Sequence, residues 1–117
     1  MKYFFTTLTV MLLICSCSKE NNEPINFENL ITTSGLNFVP EVLNCNIGDT
    51  IFFELGGTHN VVEVSQENYN ANNPTPIENG FELGFGESDY IVLVESKTHY
   101  YVCTPHLPSM KARIIVH

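Results

Sequence analysis

The sequence Tyr100-Tyr-Val-Cys-Thr-Pro-His-Leu-Pro-Ser-Met-Lys-Ala-Arg-Ile-Ile-Val116 has an apolar run at each end and a short loop between them. The two runs are rich in β-branched and aromatic residues, which predicts the end of one strand and the start of another. Pro105 and Pro108 restrict the backbone of the loop on either side of His106. The stretch therefore predicts two β-strands joined by a stiff loop.

The same loop carries three side chains that bind soft or borderline metal ions. Cys103, His106 and Met110 offer a thiolate, an imidazole and a thioether. A type 1 copper site uses two His, one Cys and a weak axial Met, so one His is still required. The sulfur ligands argue against Mg, Ca or Mn, and a structural zinc site would use more Cys or His instead of Met. A β-hairpin turn with an incidental buried Cys and Met is the alternative.

The pattern of apolar and turn residues in the rest of the domain predicts an all-β structure. Between residues 27 and 64 short apolar runs alternate with turn residues, and no stretch shows a sustained helical period. Several short strands with close turns predict a sandwich or a barrel. In the run that contains Leu43, Cys45 and Ile47, alternation predicts that all three side chains face the core.

His59 is the candidate for the second imidazole. It follows a predicted strand, Ile51-Phe-Phe-Glu-Leu55, and a Gly-Gly-Thr turn, and it precedes the strand-like Val61-Val-Glu-Val64. His59 is therefore expected at the tip of a connection between two strands.

From about Phe38 to the C-terminus the chain resembles the cupredoxins, specifically those of the plastocyanin and pseudoazurin type. The matching pieces are Phe38-Val-Pro40, Gly48-Asp-Thr-Ile51, His59-Asn-Val61 and Cys103-Thr-Pro-His106, in that order. The resemblance implies a Greek-key β-sandwich of about seven or eight strands that binds one copper ion.

The resemblance also implies a role for individual residues. His59, Cys103, His106 and Met110 match the copper ligands, with Met110 as the axial thioether, and Asn60 matches a position whose side chain ties the two ligand loops together. The implied activity is single-electron transfer between copper oxidation states, with redox proteins as partners. No open coordination position is implied, so we do not expect an enzyme.

The N-terminal residues predict export and a lipid anchor. Residues 1–16 contain Lys2 followed by an apolar run that is too short to span a membrane and has the length of a signal-peptide core. The sequence Ile14-Cys-Ser-Cys17 resembles a bacterial lipobox, with Cys17 as the lipidated residue, and a cleaved soluble periplasmic protein is the alternative. Residues 17–26 predict an acidic polar tether, and residues 27–117 the copper domain. The expected location is the cell envelope: outer membrane or periplasm, or the cell surface.

The charge balance limits the choice of partners. Five Lys and Arg oppose 13 Asp and Glu, a formal net charge of −8, and loss of Lys2 with the signal peptide makes it more negative. Nucleic acid is therefore excluded as a favourable partner, whereas a basic protein would be attracted. We expect a monomer.

The remaining cysteines and histidines leave some choices open. Export places Cys45 and Cys103 in an oxidising compartment, so a disulfide between them is the alternative to a buried free thiol and a metal ligand. His99 and His117 have no ligand-type neighbours in sequence, and we expect both to be solvated.

Two other functions compete with electron transfer. The same ligands would serve a lipoprotein that captures or delivers copper at the cell envelope. A metal-free sandwich would act as a structural or adhesive module, and this third hypothesis requires Cys103 to be disulfide-bonded or capped.

Overall fold

The computed structural model describes residues 27–117, which form two β-sheets packed face to face. The strands are β1 (Leu30–Ser34), β2 (Asn37–Val39), β3 (Val42–Cys45), β4 (Thr50–Glu54), β5 (Val61–Val64), β6 (Glu82–Leu83), β7 (Ser88–Val92), β8 (Thr98–Val102) and β9 (Lys111–Val116). The helical segments of this part of the chain are α1 (Gln66–Asn70) and two 3-10 turns, Phe27–Asn29 and Thr104–His106. The prediction of an all-β sandwich is confirmed, with the two-residue β6 bringing the strands of the described region to nine.

The strand order shows crossovers between the two sheets. The first sheet has the order β2-β1-β4-β7, and the second has the order β3-β9-β8-β5-β6. The β1–β4 and β3–β9 pairs are parallel, and the other pairs are antiparallel. Neighbours in a sheet are therefore often distant in sequence, as the Greek-key arrangement requires.

The space between the sheets is filled by the inward-facing residues of alternating strands. Tyr101 is fully buried at its centre, with its ring centroid 4.8 Å from that of Phe38, 5.8 Å from Phe53 and 6.1 Å from Phe81. Edge-to-face and tilted ring pairs of this kind add to the stabilisation from burial. Cys103 and Met110 belong to the same buried cluster, so the predicted ligand loop is continuous with the core.

A smaller apolar cluster covers the outer face of the second sheet. Val62, Val64 and Val102 are buried there beneath Tyr69 of α1 and Leu107 of the ligand loop. The helix begins at an N-cap, where the Ser65 hydroxyl accepts a hydrogen bond from the backbone N–H of Asn68. Since both faces of β5 are covered, all four of its residues are buried.

The connections divide the sandwich into two ends. One end, which we call the loop end, is formed by residues 35–36, 55–60, 84–87 and 103–110. Two hydrogen bonds link these connections to their neighbours: the backbone N–H of Gly56 donates to the Thr33 hydroxyl, and the backbone N–H of Gly86 donates to the carbonyl of His59. At the other, the turn end, lie residues 46–49 and 93–97 and the last residue, His117. Backbone bonds from Gly48 N–H to the Leu93 carbonyl and from Ile47 N–H to the His117 carbonyl hold the turn end together.

The prediction of a core position was wrong for one residue. Leu43 and Cys45 are buried as expected, but the Ile47 side chain is 53% exposed. The strand ends at Cys45, and the chain then turns, so the alternation that would have buried Ile47 does not continue.

The predictions for residues 1–26, namely the signal peptide, the lipidated Cys17 and the tether, lie outside the described residues. Among residues 27–117 no helix has the length and apolar character needed to cross a membrane.

Candidate metal centre

Pairing of two strands brings together ligands that are far apart in sequence. His59 lies just before β5, and Cys103 directly follows β8. These strands are antiparallel neighbours, with Val62 opposite Val102, so the start of β5 lies beside the end of β8. The sheet register therefore places His59 next to Cys103 at the loop end.

Three predicted ligand atoms face one another. The Cys103 Sγ is 3.3 Å from the His106 Nδ1 and 3.8 Å from the His59 Nδ1, and the two Nδ1 atoms are 3.2 Å apart. Cys103 is fully buried, His59 is 7% exposed, and His106 is only half-buried. The centre is thus closed on the Cys103 side and accessible through His106.

This spacing fits a single bound ion. Imidazole nitrogens bind a borderline cation at about 2.0–2.1 Å and a thiolate binds at about 2.3 Å. Donors at these distances and at tetrahedral or trigonal angles are separated by roughly 3.3–3.8 Å, close to the observed 3.2, 3.3 and 3.8 Å. Among the described residues no other group of three or more His, Cys, Asp or Glu side chains gathers in this way.

The loop that carries Cys103, His106 and Met110 is held closed by its own backbone. The Cys103 N–H donates to the Met110 carbonyl at 3.0 Å, while the His106 carbonyl accepts from the Met110 N–H at 3.0 Å. A 3-10 turn spans Thr104–His106, with Pro105 in its first positions. Met110, the fourth predicted ligand, is fully buried at the end of this loop. These bonds keep Cys103 and Met110 close without help from a metal.

His59 is fixed from two sides. Its backbone N–H donates to the Gly56 carbonyl at 3.0 Å, and its carbonyl accepts from the Gly86 N–H at 3.1 Å. A Cβ on Gly56 would lie 3.0 Å from the Thr33 hydroxyl oxygen and 3.2 Å from the His59 Cδ2. Glycine lets this backbone lie close to the imidazole ring without displacing it, whereas a larger residue would require Thr33 or His59 to shift by a few tenths of an ångström.

Asn60 joins the two ligand connections, as the resemblance implied. Its side-chain Oδ1 accepts from the Thr104 backbone N–H at 2.9 Å, and its Nδ2 donates to the Thr104 hydroxyl at 3.1 Å. Thr104 directly follows Cys103, so these bonds link the residue after one ligand to the residue after the other. The sequence analysis missed Thr104, because its partner lies 44 residues away.

The metal-free Cys103 thiol is held in its neutral form. Burial raises its pKa, and the backbone N–H groups of Asn60 and His106 oppose the rise. A bound cation favours the thiolate and reverses this balance, which couples metal binding to proton release.

The Cys45–Cys103 disulfide considered above is not formed. Both cysteines are free and buried. Cys45 lies at the end of β3, beside Val116 and close to the turn end, whereas Cys103 lies at the loop end. Burial, and secondarily the nearby charge of Asp49, raises the pKa of the Cys45 thiol.

The prediction that His99 is solvated was wrong. Its side chain is buried, and its Nδ1 is 2.8 Å from the Glu63 Oε1, while the Glu63 Oε2 accepts from the Phe81 N–H at 3.3 Å. The His99 Nε2 is buried and has no partner. Both members of the pair line a cleft of about 550 Å³, which Phe81 and Leu93 also line. Period-two alternation along β8, which puts His99 on the same face as Tyr101 and Cys103, is the signal that was overlooked.

His117 is exposed as predicted, with its Nε2 3.0 Å from the Asn44 Oδ1.

The surface of the loop end is apolar and almost free of charge. Leu36 is 49% exposed and Phe85 is 58% exposed, and Pro108 beside the ligands is also exposed. Glu87 is the single Asp, Glu, Lys or Arg in its four connections, and its carboxylate accepts a hydrogen bond from the Gly84 N–H. Leu107, which directly follows His106, is half-buried beside this surface, and the sequence analysis did not point to Phe85.

Solved structures share this fold. A reduced tryptophan-to-tyrosine variant of amicyanin matches with a TM-score of 0.55 and 21% identity, over 75% of this chain and 80% of that chain. Amicyanin from Paracoccus versutus matches with a TM-score of 0.55 and 20% identity, over 75% of this chain and 79% of that chain. A copper-containing nitrite reductase from Thermus scotoductus SA-01 matches with a TM-score of 0.56 and 24% identity, over 75% of this chain but only 22% of that chain. No curated protein sequence matches the chain.

A protein-family model gives the more specific result. The model for copper binding proteins of the plastocyanin/azurin family matches residues 25–117. This range contains every described strand and all four predicted ligands. The chain therefore belongs to the plastocyanin/azurin family of copper-binding proteins.

Proposed function

We propose that the protein carries single electrons through a type 1 copper centre held by His59, Cys103, His106 and Met110. The resemblance to cupredoxins is confirmed by the family match, and the cofactor is one copper ion. The observation that carries the proposal is the convergence of the Cys103 Sγ with the Nδ1 atoms of His59 and His106, which all lie within 3.8 Å of one another. Two imidazoles, one thiolate and a thioether on the same loop form the donor set of blue-copper electron carriers.

The protein supplies a site that changes little when an electron arrives or leaves. Bound copper provides the one-electron exchange between Cu(II) and Cu(I). The closed 103–110 loop, the Asn60–Thr104 bonds and the packing of Gly56 on His59 hold the donors in place, so little rearrangement is needed in either oxidation state. Burial of Cys103 and Met110 keeps water away from the sulfur side.

The apolar surface around His106 supports electron exchange with another protein. His106 is the most exposed of the four ligands, and the four connections of the loop end around it carry a single charged side chain, Glu87, so little charge would have to be desolvated on contact. Transient redox complexes use small interfaces of this kind. Redox partner proteins are therefore the proposed partners, and the negative net charge favours a basic one.

Electron transfer is favoured over catalysis. Four protein donors would leave no coordination position for a substrate, unlike catalytic metal sites, which keep one open. The nitrite reductase match covers only 22% of that chain, so the activity of the whole enzyme is not carried over.

Copper capture or delivery is the second candidate. Partial exposure of His106 favours it, because a ligand exchanged from that side could remove the ion. The third hypothesis, a metal-free module, requires Cys103 to be disulfide-bonded or capped, and the absence of a bond between Cys103 and Cys45 speaks against the first of these.

We also propose that the protein is exported and anchored by a lipid on Cys17, as a monomer at the cell envelope. The support is the apolar run before the lipobox-like Ile14-Cys-Ser-Cys17 and the acidic tether that follows. Mass spectrometry of the protein from a membrane fraction tests the acyl group on Cys17.

The test of the copper centre compares the two buried cysteines. Adding Cu(II) to the metal-free protein should produce an intense blue band, which Cys103→Ser should abolish and Cys45→Ser should retain, with far-UV circular dichroism checking that both variants fold. The opposite pattern would assign the wrong thiol. A reversible one-electron couple in cyclic voltammetry with slow copper loss to a chelator supports electron transfer, whereas fast loss supports copper delivery.

A further inference from the structure

The copper ligands and the start of the folded domain lie at opposite ends of the sandwich. Strand β4 runs from the turn end to the loop end, because residues 46–49 precede it and residues 55–60, which carry His59, follow it. Strand β1 is parallel to β4, with Leu30 beside Phe52 and Thr32 beside Glu54. The chain therefore enters β1 from the turn-end side and leaves it at the loop end.

The residues before β1 extend this path away from the copper ligands. The 3-10 turn Phe27–Asn29 packs against β4, and the parallel register places it toward Thr50 rather than toward Glu54. At the other end of β1, the Thr33 hydroxyl accepts a hydrogen bond from Gly56, which lies against the His59 ring. Any anchor attached to the chain before Phe27 is thus joined to the domain at the end that lacks the ligands.

We infer that the membrane surface faces the turn end and that the loop end points away from the bilayer toward a redox partner in the aqueous phase. This inference rests on the proposed function and on lipidation of Cys17. The bilayer side of the domain is then formed by residues 46–49 and 93–97. The partner is a water-soluble or peripheral protein that meets the exposed apolar surface around His106, not one confined within the same bilayer.

The length of the tether favours this orientation. About ten residues separate Cys17 from the 3-10 turn, and any chain of that length reaches at most about 35 Å when fully extended. From Thr50 to Glu54 β4 alone covers about 13 Å, and the ligand loops extend beyond it. Turning the loop end toward the bilayer would therefore require the tether to run back along the side of the domain, which takes up at least about a third of its maximum reach.

The negative net charge of the protein also favours this orientation. With a formal net charge of −8 before processing, the domain is repelled by anionic lipid headgroups, so it has no general electrostatic reason to lie flat on the membrane. The loop end lacks the Lys and Arg residues that would draw it to such a surface, since its four connections contain none. The tether is then the one proposed link between domain and bilayer.

Paramagnetic lipids test the orientation directly. The acylated, copper-loaded and reduced protein is placed in nanodiscs that contain a gadolinium-chelating lipid, and amide signals are compared with those in plain nanodiscs. Broadening should be at least about threefold greater for residues 46–49 and 95–97 than for Gly57, Gly86 and Leu107, because the effect falls steeply with distance from the headgroups. Equal or stronger broadening at the loop end would overturn the inference, and so would a mature protein without an acyl group on Cys17.

Electron-transfer rates give an independent test. A water-soluble ferrocenium ion should oxidise the anchored protein and the unanchored Cys17→Ser protein at rates within about twofold of each other. A ferrocenium group attached to a lipid headgroup should oxidise the anchored protein about tenfold more slowly than a variant with roughly 20 Gly and Ser residues inserted after Pro24, which lets the domain turn over. Equal rates for the two tether lengths would overturn the inference. The proposed function fails separately, through absence of the blue band or of the reversible couple in the Cys17→Ser protein.

Discussion

Replacing one member of the buried Glu63–His99 pair is expected to destabilise the domain far more than replacing both. The side chains of His99 and Glu63 are only 7% and 8% exposed, and their hydrogen bond of 2.8 Å lies at the wall of the cleft that Phe81 and Leu93 also line. In His99→Phe the Glu63 carboxylate keeps only the 3.3 Å bond from the Phe81 N–H. In Glu63→Leu, the imidazole Nδ1 and the Phe81 N–H both lose their acceptor.

The magnitude follows from leaving a buried polar or charged group without its partner. Breaking a buried pair in this way costs about 3–5 kcal/mol, whereas replacing both groups by apolar residues of similar volume is close to neutral. Each single variant should therefore lose about 3 kcal/mol or more, which is a large share of the roughly 5–14 kcal/mol typical of a domain this size. The double variant Glu63→Leu/His99→Phe should lie within about 1 kcal/mol of the original protein, because it also removes the unpartnered Nε2 of His99.

Urea unfolding of the metal-free protein at pH 7, with a reductant present for the two thiols, measures these differences. The chain has no Trp, so far-UV circular dichroism is the appropriate signal. Glu63→Gln is the matched control: it keeps the side-chain shape and an oxygen that accepts from Phe81, and it should cost less than Glu63→Leu. In a double-mutant cycle the coupling energy should be at least about 2 kcal/mol. The reasoning would be refuted if each single variant lost less than about 1 kcal/mol of unfolding free energy. It would also be refuted if the loss in the double variant equalled the sum of the two single losses.

Three further changes test the site and the core. Gly56→Ala should displace the His59 ring and change the copper absorption and electron paramagnetic resonance spectra, because the new Cβ would lie 3.2 Å from the His59 Cδ2, whereas Gly57→Ala, with nothing within 4 Å, should leave both spectra unchanged. Asn60→Ala should speed copper loss to a chelator about 10–100-fold, as other changes to groups that orient metal ligands do; Thr104→Val keeps the 2.9 Å backbone bond to Asn60 and should have a smaller effect. Tyr101→Phe should stabilise the domain by about 1 kcal/mol in urea unfolding, since the Tyr101 hydroxyl is buried without a partner, while the same change at the 61% exposed Tyr90 should be neutral. Burial also raises the pKa of Tyr101 far above its usual 10, so the unfolded state loses this proton first and stability falls as the pH rises above about 10; Tyr101→Phe should reduce that fall.

Short-range features of the chain were determined by the sequence itself. Cys103, His106 and Met110 share a loop because only a few residues separate them, and the covalent chain keeps such neighbours within reach of one ion. The strands were also predictable, since alternating apolar residues and turn residues act locally. The two wrong predictions also concern features that depend on neighbouring residues in the sequence. Ile47 was assigned to a strand that ends two residues earlier, and alternation along β8 would have shown that His99 faces inward.

Long-range contacts were decided only by the tertiary structure. Nothing in the local sequence brings His59 to within 3.8 Å of Cys103; the pairing of β5 with β8 does so. The Asn60–Thr104 bonds depend on the same pairing, and the Glu63–His99 bond joins residues 36 positions apart. Strand register and packing of the whole core fix these distances, because they depend on interactions among many residues and not on the spacing of any two along the chain.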